Sequence, residues 1–524
     1  MTEQGISRRS LLAGALAGGG ALALQSSPAG AARTAFKGRE PFIRDGGFSL
    51  GVSSGLPNMR GTTIWTRVDG IEKTGRLRFE VARDEDFANV VYAGRARAVD
   101  FRDFTVRRRL NRLEPATEYW YRFFTEQENS PVGRFRTALP PDSREPVRIG
   151  FFSCQNYQAG YFTPHAGLRN EPDLDLVVCL GDYIYERTAA EGPPDRKDRT
   201  GVNRDSVVQT LDEYRQKYRL YRTDPNLRAV HANFPIVAIW DDHEAEDGYA
   251  AEHGDDDPVA RRVPFLERRQ NGYLAFFEYM PRIRHRPELN RTYQRKRLGS
   301  NFELFLLDTR QYRDDQAAGV GEPCLACDDP GRSLLGGPQK EWLKRSLANS
   351  RAAWKVIGNQ VMMMGLDVPA GNPYNPDQWD GYAAERRELM EFALERGIED
   401  IAVLTGDIHT FFAGDVTTTG RIDGTAAATE FVGGSVTSFG IPENLGANLT
   451  KDQVAILTGG GLRANNPHIK YDELSRRGYG VLEARPDELL VEFRAPRSTF
   501  EQPSPVETLK RFRVARGQPS VEPL

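Results

Sequence analysis

The chain has 524 residues, 70 lysines and arginines against 73 aspartates and glutamates, and a formal net charge of -3. That length exceeds what one hydrophobic core usually serves, so two domains are expected, and the near balance of charge implies no polyanion partner such as nucleic acid. Four cysteines are too few for a disulfide scaffold in a chain this long.

At the amino terminus, Ser7-Arg8-Arg9-Ser10 leads into a glycine-diluted apolar run over 11–24, followed by Ala29-Gly30-Ala31, a small-x-small cleavage signal. The run is shorter than the roughly 20 apolar residues a spanning helix needs. It reads as a twin-arginine export peptide over 1–31, with the export machinery as partner of the precursor. The expected product is a secreted, periplasmic or cell-envelope protein without a stable membrane anchor. Such a route suits a protein that loads metal before it leaves the cell.

From 40 to 140 the pattern is short alternating runs punctuated by turns, including Thr63-Ile64-Trp65-Thr66 and Glu118-Tyr119-Trp120-Tyr121. Runs of that spacing predict a small all-β sandwich of immunoglobulin or fibronectin type III kind. Pro140-Pro141-Asp142 marks a linker. Two basic runs, Arg107-Arg108-Arg109 and Arg295-Lys296-Arg297, adjoin alternating strand residues and read as solvated faces rather than phosphate-contacting patches.

Over 146–515, apolar strands alternate with helix-period segments, which predicts a layered α/β domain. Continuous apolar stretches at 147–152, 174–180, 235–240, 302–307, 354–357 and 401–404 have buried-strand length. Segments 205–221, 265–280, 338–348 and 383–396 space their apolar residues at three and four, with Pro338 as a first helical residue and Gly397 as a stop. Insertions at 189–203, 248–263, 310–337 and 369–381 are expected to line or cover a site. Cys179 lies within an apolar strand and reads as a core thiol, whereas Cys324 and Cys327, in a Pro/Gly/Asp-rich loop, read as a disulfide.

Five segments put metal-ligand residue types just past strand ends: Ser153-Cys154-Gln155-Asn156, Gly181-Asp182-Tyr183-Ile184-Tyr185, Trp240-Asp241-Asp242-His243-Glu244, Gly358-Asn359-Gln360 and Gly406-Asp407-Ile408-His409. In α/β sheets that edge is where ligands bind. The set suits a two-metal phosphoesterase, in which the attacking and leaving oxygens of an in-line displacement are both stabilised.

Gly-Asp-x-x-Tyr at 181–185, Trp-Asp-Asp-His-Glu at 240–244 and Gly-Asp-x-His at 406–409 resemble the PhoD-like alkaline phosphatases, distant relatives of the purple acid phosphatases within the calcineurin-like metallophosphoesterases. The opening Phe48-Ser49-Leu50-Gly51-Val52 with Ile64-Trp65-Thr66-Arg67 is similar to that family's N-terminal β-domain. The resemblance implies an α/β/β/α metallophosphoesterase sandwich behind the β-domain. It also implies hydrolysis of phosphate monoesters at an iron and calcium site, or of diesters in the manner of a phospholipase D or on teichoic acid.

Tyr185 and Cys154 must both ionise to bind, which asks for a highly charged ion such as Fe(3+), completed by Asp182 and His409. The second metal would draw on Asp182, Asp242, Asn359 and Asp407. The purple acid phosphatase pattern has histidines at the last two of these positions, so the departure toward oxygen donors favours calcium or magnesium over zinc, and Ca(2+) is what the resemblance implies. In the related Asn-His-Glu motif the histidine faces the phosphate. His243 is therefore expected to protonate the leaving alkoxide, with Glu244 orienting it and Asn156 as a further supporting candidate. His165, His231, His285 and His468 have no motif partners. An exported β-sandwich binding protein with a degenerate enzyme domain is the alternative of another class.

Overall fold

The computed structural model describes residues 40–524 apart from 189, 255–259, 285, 368–372, 442 and 444–460. The leader expected over 1–31 and His285 lie outside the described residues. Among those that are described, no helix is long and apolar enough to cross a membrane.

Seven strands open the described chain: β1 (Val52–Ser54), β2 (Thr63–Arg67), β3 (Gly75–Ala82), β4 (Val90–Ala98), β5 (Thr105–Arg109), β6 (Glu118–Phe124) and β7 (Gly133–Arg136). They form two antiparallel sheets, in orders β1-β2-β5 and β4-β3-β6-β7. Alternation decides the facing. Leu77, Phe79 and Val81 of β3 and Tyr119, Tyr121 and Phe123 of β6 turn inward onto Val52, Ile64 and Val106.

Side chains tie this sandwich to the α/β region that the chain enters beyond β7. Ser53 Oγ lies 2.8 Å from His231 Nδ1, and His231 Nε2 lies 2.8 Å from the Tyr183 hydroxyl, all buried. The Trp65 indole donates to the Glu278 carbonyl at 2.8 Å.

The next fourteen strands make two seven-stranded sheets. The first contains β8 (Val147–Phe152), β9 (Leu176–Cys179), β10 (Ile236–Ala238), and the second is built from β11 (Gln294–Leu298), β12 (Phe302–Leu306), β13 (Trp354–Gly358), β14 (Ile401–Thr405), β15 (Phe411–Thr417), β16 (Ala426–Gly433) and β17 (Ile469–Glu473). The chain then returns to the first sheet with β18 (Tyr479–Ala484), β19 (Glu488–Pro496), β20 (Val506–Ala515) and β21 (Glu522–Pro523). The orders are β10-β9-β8-β18-β19-β20-β21 and β11-β12-β13-β14-β16-β15-β17. In the first, β8 lies between β9 and β18, parallel to the former and antiparallel to the latter, with Gly480 opposite Phe151.

Phe151, Val178 and Ile239 of the first sheet meet Leu304, Val356 and Leu404 of the second in one core. The outer face of the first sheet packs Val177 and Cys179 against Tyr214, Tyr218 and Phe276 of α2 (Leu211–Tyr221) and α4 (Phe265–Tyr279), where α1 (Thr163–Leu168) and α3 (Pro225–Asn233) also lie. Opposite, Ile357 and Val403 pack on Leu343 of α5 (Gly336–Ala348) and Leu389 of α6 (Ala383–Glu395). This is the expected α/β/β/α layering, and burial on both faces explains why the central strands read as continuous apolar runs.

Three local expectations are corrected. The helix expected from 205 begins at Leu211, because Thr210 and Glu213 close a capping box there. Pro338 is the third residue of α5, not the first, since Gly336 opens the helix. Strands β15 to β21 had no counterpart among the expected elements. Gly397 does follow α6, at φ 59°. Cys324 and Cys327 are joined in a disulfide, and Cys179 is a buried free thiol.

Candidate metal centre

Strands β8, β9 and β10 are parallel to one another, as are β12, β13 and β14, so the residues just past each trio meet at one edge of the layered sheets. Cys154, Asp182, Asp407 and His409 all sit there at positive φ, between 53° and 59°. Non-glycine residues rarely adopt that conformation, and clusters of it mark functional sites.

Cys154, Asp182 and His409 bring one donor atom each within 4.8 Å of one another. The Tyr185 hydroxyl closes the group, 3.0 Å from Asp182 Oδ2 and 3.1 Å from His409 Nε2, and receives a hydrogen bond from Ser438 Oγ at 2.6 Å. His409 Nδ1 lies 2.7 Å from the Phe439 carbonyl, which can accept but not donate, so Nδ1 carries the proton. That bond fixes the tautomer and turns the Nε2 lone pair toward the group. Burial holds the His409 pKa down at about 4. Burial, then the Asp182 charge, pushes the Cys154 thiol well above its ordinary range, and a cation in contact would reverse that direction.

Asp182 and Asp242 form a second group with His243, and Asp241, Asp242 and Asp407 a third, within the same span. The carboxylates here are held by Arg310, a fully buried guanidinium that the strand-end pattern had not singled out. It donates to Asp407 Oδ1 at 2.9 Å and to Asp377 Oδ1 at 2.8 Å, pairs with Asp241, and lies 3.5 Å from Asp242 Oδ2. Asp242 also accepts the backbone N–H groups of His243 at 2.9 Å and Gly248 at 2.8 Å. Burial disfavours its charge, but Arg310 and His243 outweigh burial and hold its pKa below the usual carboxylate range. For Asp407 burial wins and raises the pKa to about 6.

His243 stacks on Tyr185 with ring centres 4.0 Å apart, and its Nδ1 lies 2.7 Å from Glu186 Oε2. Burial opposes its protonation, yet Glu186, Asp182, Asp247 and Asp242 together raise its pKa well above the ordinary value. The expectation that Glu244 orients His243 is corrected. The Glu244 carboxylate accepts the backbone N–H groups of Asp182 at 3.1 Å, Tyr183 at 2.6 Å and Asp241 at 2.7 Å, and so clamps the two ligand-bearing loops together. Glu186, adjacent to Tyr185 in sequence, takes the orienting place.

Two candidates stand apart from the donor groups. Asn359 is fully buried, with its carbonyl oxygen accepting from the Trp379 indole at 3.3 Å and its amide donating to the Val361 carbonyl. Among the described residues no hydrogen bond joins it to Asp182, Asp242 or Asp407. Asn156 exchanges hydrogen bonds with Thr188 at 3.0 and 3.2 Å.

A metal suits this geometry. Asp182 Oδ1 is buried without any hydrogen-bond partner, and a thiol, a phenol, an imidazole nitrogen and a carboxylate converge beside it. The groups open on a cleft of about 600 Å3 lined by Asp182, Asp242, His243, Asp247 and His409, with Gln316 and Gly319 from the 310–337 insertion.

Residues 149–493 match the sequence profile of the PhoD-like phosphatase family, and residues 27–139 that of the PhoD-like phosphatase N-terminal domain. The chain is 34% identical to alkaline phosphatase D of Bacillus subtilis (strain 168) over 496 residues, 90% of this chain and 81% of that protein. A solved structure of PhoD superposes with a TM-score of 0.79 at 31% identity, covering 91% of this chain and 92% of the other. A purple acid phosphatase from yellow lupin (Lupinus luteus) seeds shares the fold at a TM-score of 0.55 and 13% identity, over 89% of this chain and 74% of that one.

Proposed function

The chain belongs to the PhoD-like phosphatase family and is a phosphoesterase, and from that premise we propose that it is an exported, metal-dependent hydrolase of phosphate monoesters. The observation that carries the proposal is Asp182, which is shared by two donor groups and keeps one buried oxygen unpartnered. Cys154, Asp182, Tyr185 and His409 would hold Fe(3+), whose charge favours thiolate and phenolate donors. Asp182, Asp242, Asp407 and, with its amide turned, Asn359 would hold Ca(2+). When bound, such metals supply Lewis acidity that neutralises phosphoryl charge and lowers the pKa of water.

The protein's own groups do the rest. His243 keeps one proton on Nδ1 toward Glu186 and offers the other from Nε2 to the departing alcohol oxygen. Asp247, which lines the cleft, lies 3.9 Å from that Nε2 and favours its protonated form. Glu244 fixes the spacing between the Asp182 and Asp242 loops. The cleft volume also has room for the second substituent of a diester, so a phosphodiesterase of phospholipase D or teichoic acid type is the second reading. Family membership sets aside the degenerate binding protein.

The test is metal analysis of the purified enzyme together with rates on p-nitrophenyl phosphate and bis(p-nitrophenyl) phosphate. Bound iron with charge-transfer colour, lost in Cys154→Ala, and faster monoester hydrolysis are expected. A colourless enzyme fully active as Cys154→Ala refutes the iron assignment, and preference for the diester selects the second reading. Export rests on Arg8 and Arg9. Replacing both by lysine should leave the precursor in the cytoplasm, and undiminished export would overturn that part.

A further inference from the structure

Two basic runs far apart in sequence come together in space. Arg109 ends β5, Arg295 and Lys296 lie in β11, and the segment after α4 brings Arg282, Arg284 and Arg286 beside them. These six cations line a groove of about 570 Å3 between the sandwich and the β10 edge of the first sheet. Among the described residues, no aspartate or glutamate lines it, and it shares no residue with the catalytic cleft. A nearly neutral chain has therefore segregated positive charge into one concave place.

Internal compensation in the groove is partial: Arg284 donates to the Leu289 carbonyl at 2.9 Å and to Asn290 Oδ1 at 2.5 Å, and Asp308 acts on Arg282 through space. Among the described residues, Arg109, Arg286, Arg295 and Lys296 have no ion pair or side-chain hydrogen bond. Arg282 spends its Nη atoms on the carbonyls of Ala238, Arg291 and Thr292, while its buried Nε has no partner. Burial, then the facing Arg109, lowers the Lys296 pKa to about 8, and burial lowers that of Arg282 to about 10. Lys296 and Arg282 are thus held at a cost that a bound anion would relieve.

We propose that this groove is a binding site, distinct from the catalytic cleft, for a ligand that carries several phosphate groups and no aromatic base. Five of the six cations are arginines, whose planar fork matches phosphate oxygens. Four unpaired cations exceed the charge of one phosphate group, which calls for repeated charges on the ligand. Among the described residues, no phenylalanine, tyrosine or tryptophan lines the groove, so they offer none of the stacking platforms that hold single-stranded nucleic acid.

The test is calorimetric titration of the metal-loaded full-length protein with inorganic tripolyphosphate, in excess magnesium to suppress chelation and excess orthophosphate to fill the catalytic cleft. Binding that weakens with added salt is expected. The combined variant Arg286→Gln, Arg295→Gln, Lys296→Gln should lose about tenfold or more in affinity while hydrolysing p-nitrophenyl phosphate at the unchanged rate. If the combined variant loses hydrolysis as well, Arg286→Gln alone, at an exposed side chain, takes its place with a severalfold loss expected. Unchanged affinity in the variants overturns the site. A thymidine oligonucleotide that binds as tightly as tripolyphosphate overturns the ligand class.

Discussion

Around Cys154 and His409, among the described residues, no guanidinium or ammonium pairs directly with the donors: the hydrogen-bond neighbours are the Tyr185 and Ser438 hydroxyls and the Phe439 carbonyl, and the cations His243 and Arg477 act on His409 only through space. A few ångströms away, around Asp241, Asp242, Asp377 and Asp407, a buried guanidinium is already in place. Both regions are buried and rich in acidic groups, yet one leaves its charge to be balanced from outside and the other balances part of it internally. On the assignment proposed above, the first would receive the more strongly charged ion and the second a more weakly held, exchangeable one.

The largest effect that bears on this contrast is expected where the regions join. His243→Ala should lower kcat by about 100- to 10,000-fold while both metals stay bound, and by less for p-nitrophenyl phosphate than for alkyl phosphates, whose leaving oxygen needs the proton. Metal loss in this variant would make His243 a ligand. Arg310→Ala strands four buried carboxylates and should cost about 3–5 kcal/mol in urea unfolding of the metal-free protein. Cys154→Ala, measured the same way, should cost about 1 kcal/mol; equal costs would erase the distinction between the regions.

Glu186→Gln keeps the shape of its side chain but removes the charge that holds His243 protonated, and should lower kcat by about 10- to 100-fold with the alkaline limb of the rate profile shifted to lower pH. An unmoved limb would assign that titration to another group. The smallest effect concerns acid. His165 Nε2 lies 2.7 Å from the Gln155 side-chain carbonyl, and Gln155 in turn donates to the Tyr183 carbonyl at 2.8 Å, behind the first region. Burial lowers the His165 pKa from 6.5 to about 3. The unfolded chain therefore takes up this proton first, and stability that is full above 6.5 is lost as pH falls toward the folded value. Between about pH 7.5 and 5.5 this histidine's share of the loss should be about 1 kcal/mol by denaturant titration, and His165→Phe should lose that much less than the unmodified protein, the remainder coming from the other buried histidines such as His409.

The strand ends were legible because parallel strands buried on both faces show as uninterrupted apolar runs, and ligand-type residues directly after them stand out. The same rule applied to β12 would have found Arg310, three residues beyond Leu307; its place at the head of a long insertion hid it. Glu186 adjoins Tyr185, but which glutamate reaches His243 is decided by loop packing, which leaves no periodic trace. The β15 to β21 half of the sheets was not read. In β20 and β11 charged residues alternate at partly buried positions, as in Gln294-Arg295-Lys296-Arg297, and edge strands of that composition look like solvated loop. The groove was missed for a related reason, since a balanced total charge says nothing of how the chain sorts its signs in space.

The placement of β8 between β9 and β18 has a consequence for how the protein is made. The loop carrying Cys154 leaves a strand flanked on one side by a close sequence neighbour and on the other by a strand near the end of the chain. Until Gly480 has been synthesised and has found Phe151, that loop has half its scaffold. Contacts of such long sequence separation close late, after the loop entropy between them has been overcome. A fragment that lacks β18 would thus present its thiol and carboxylates loosely spaced, and capture of the proposed metal would follow the docking of β18 on β8.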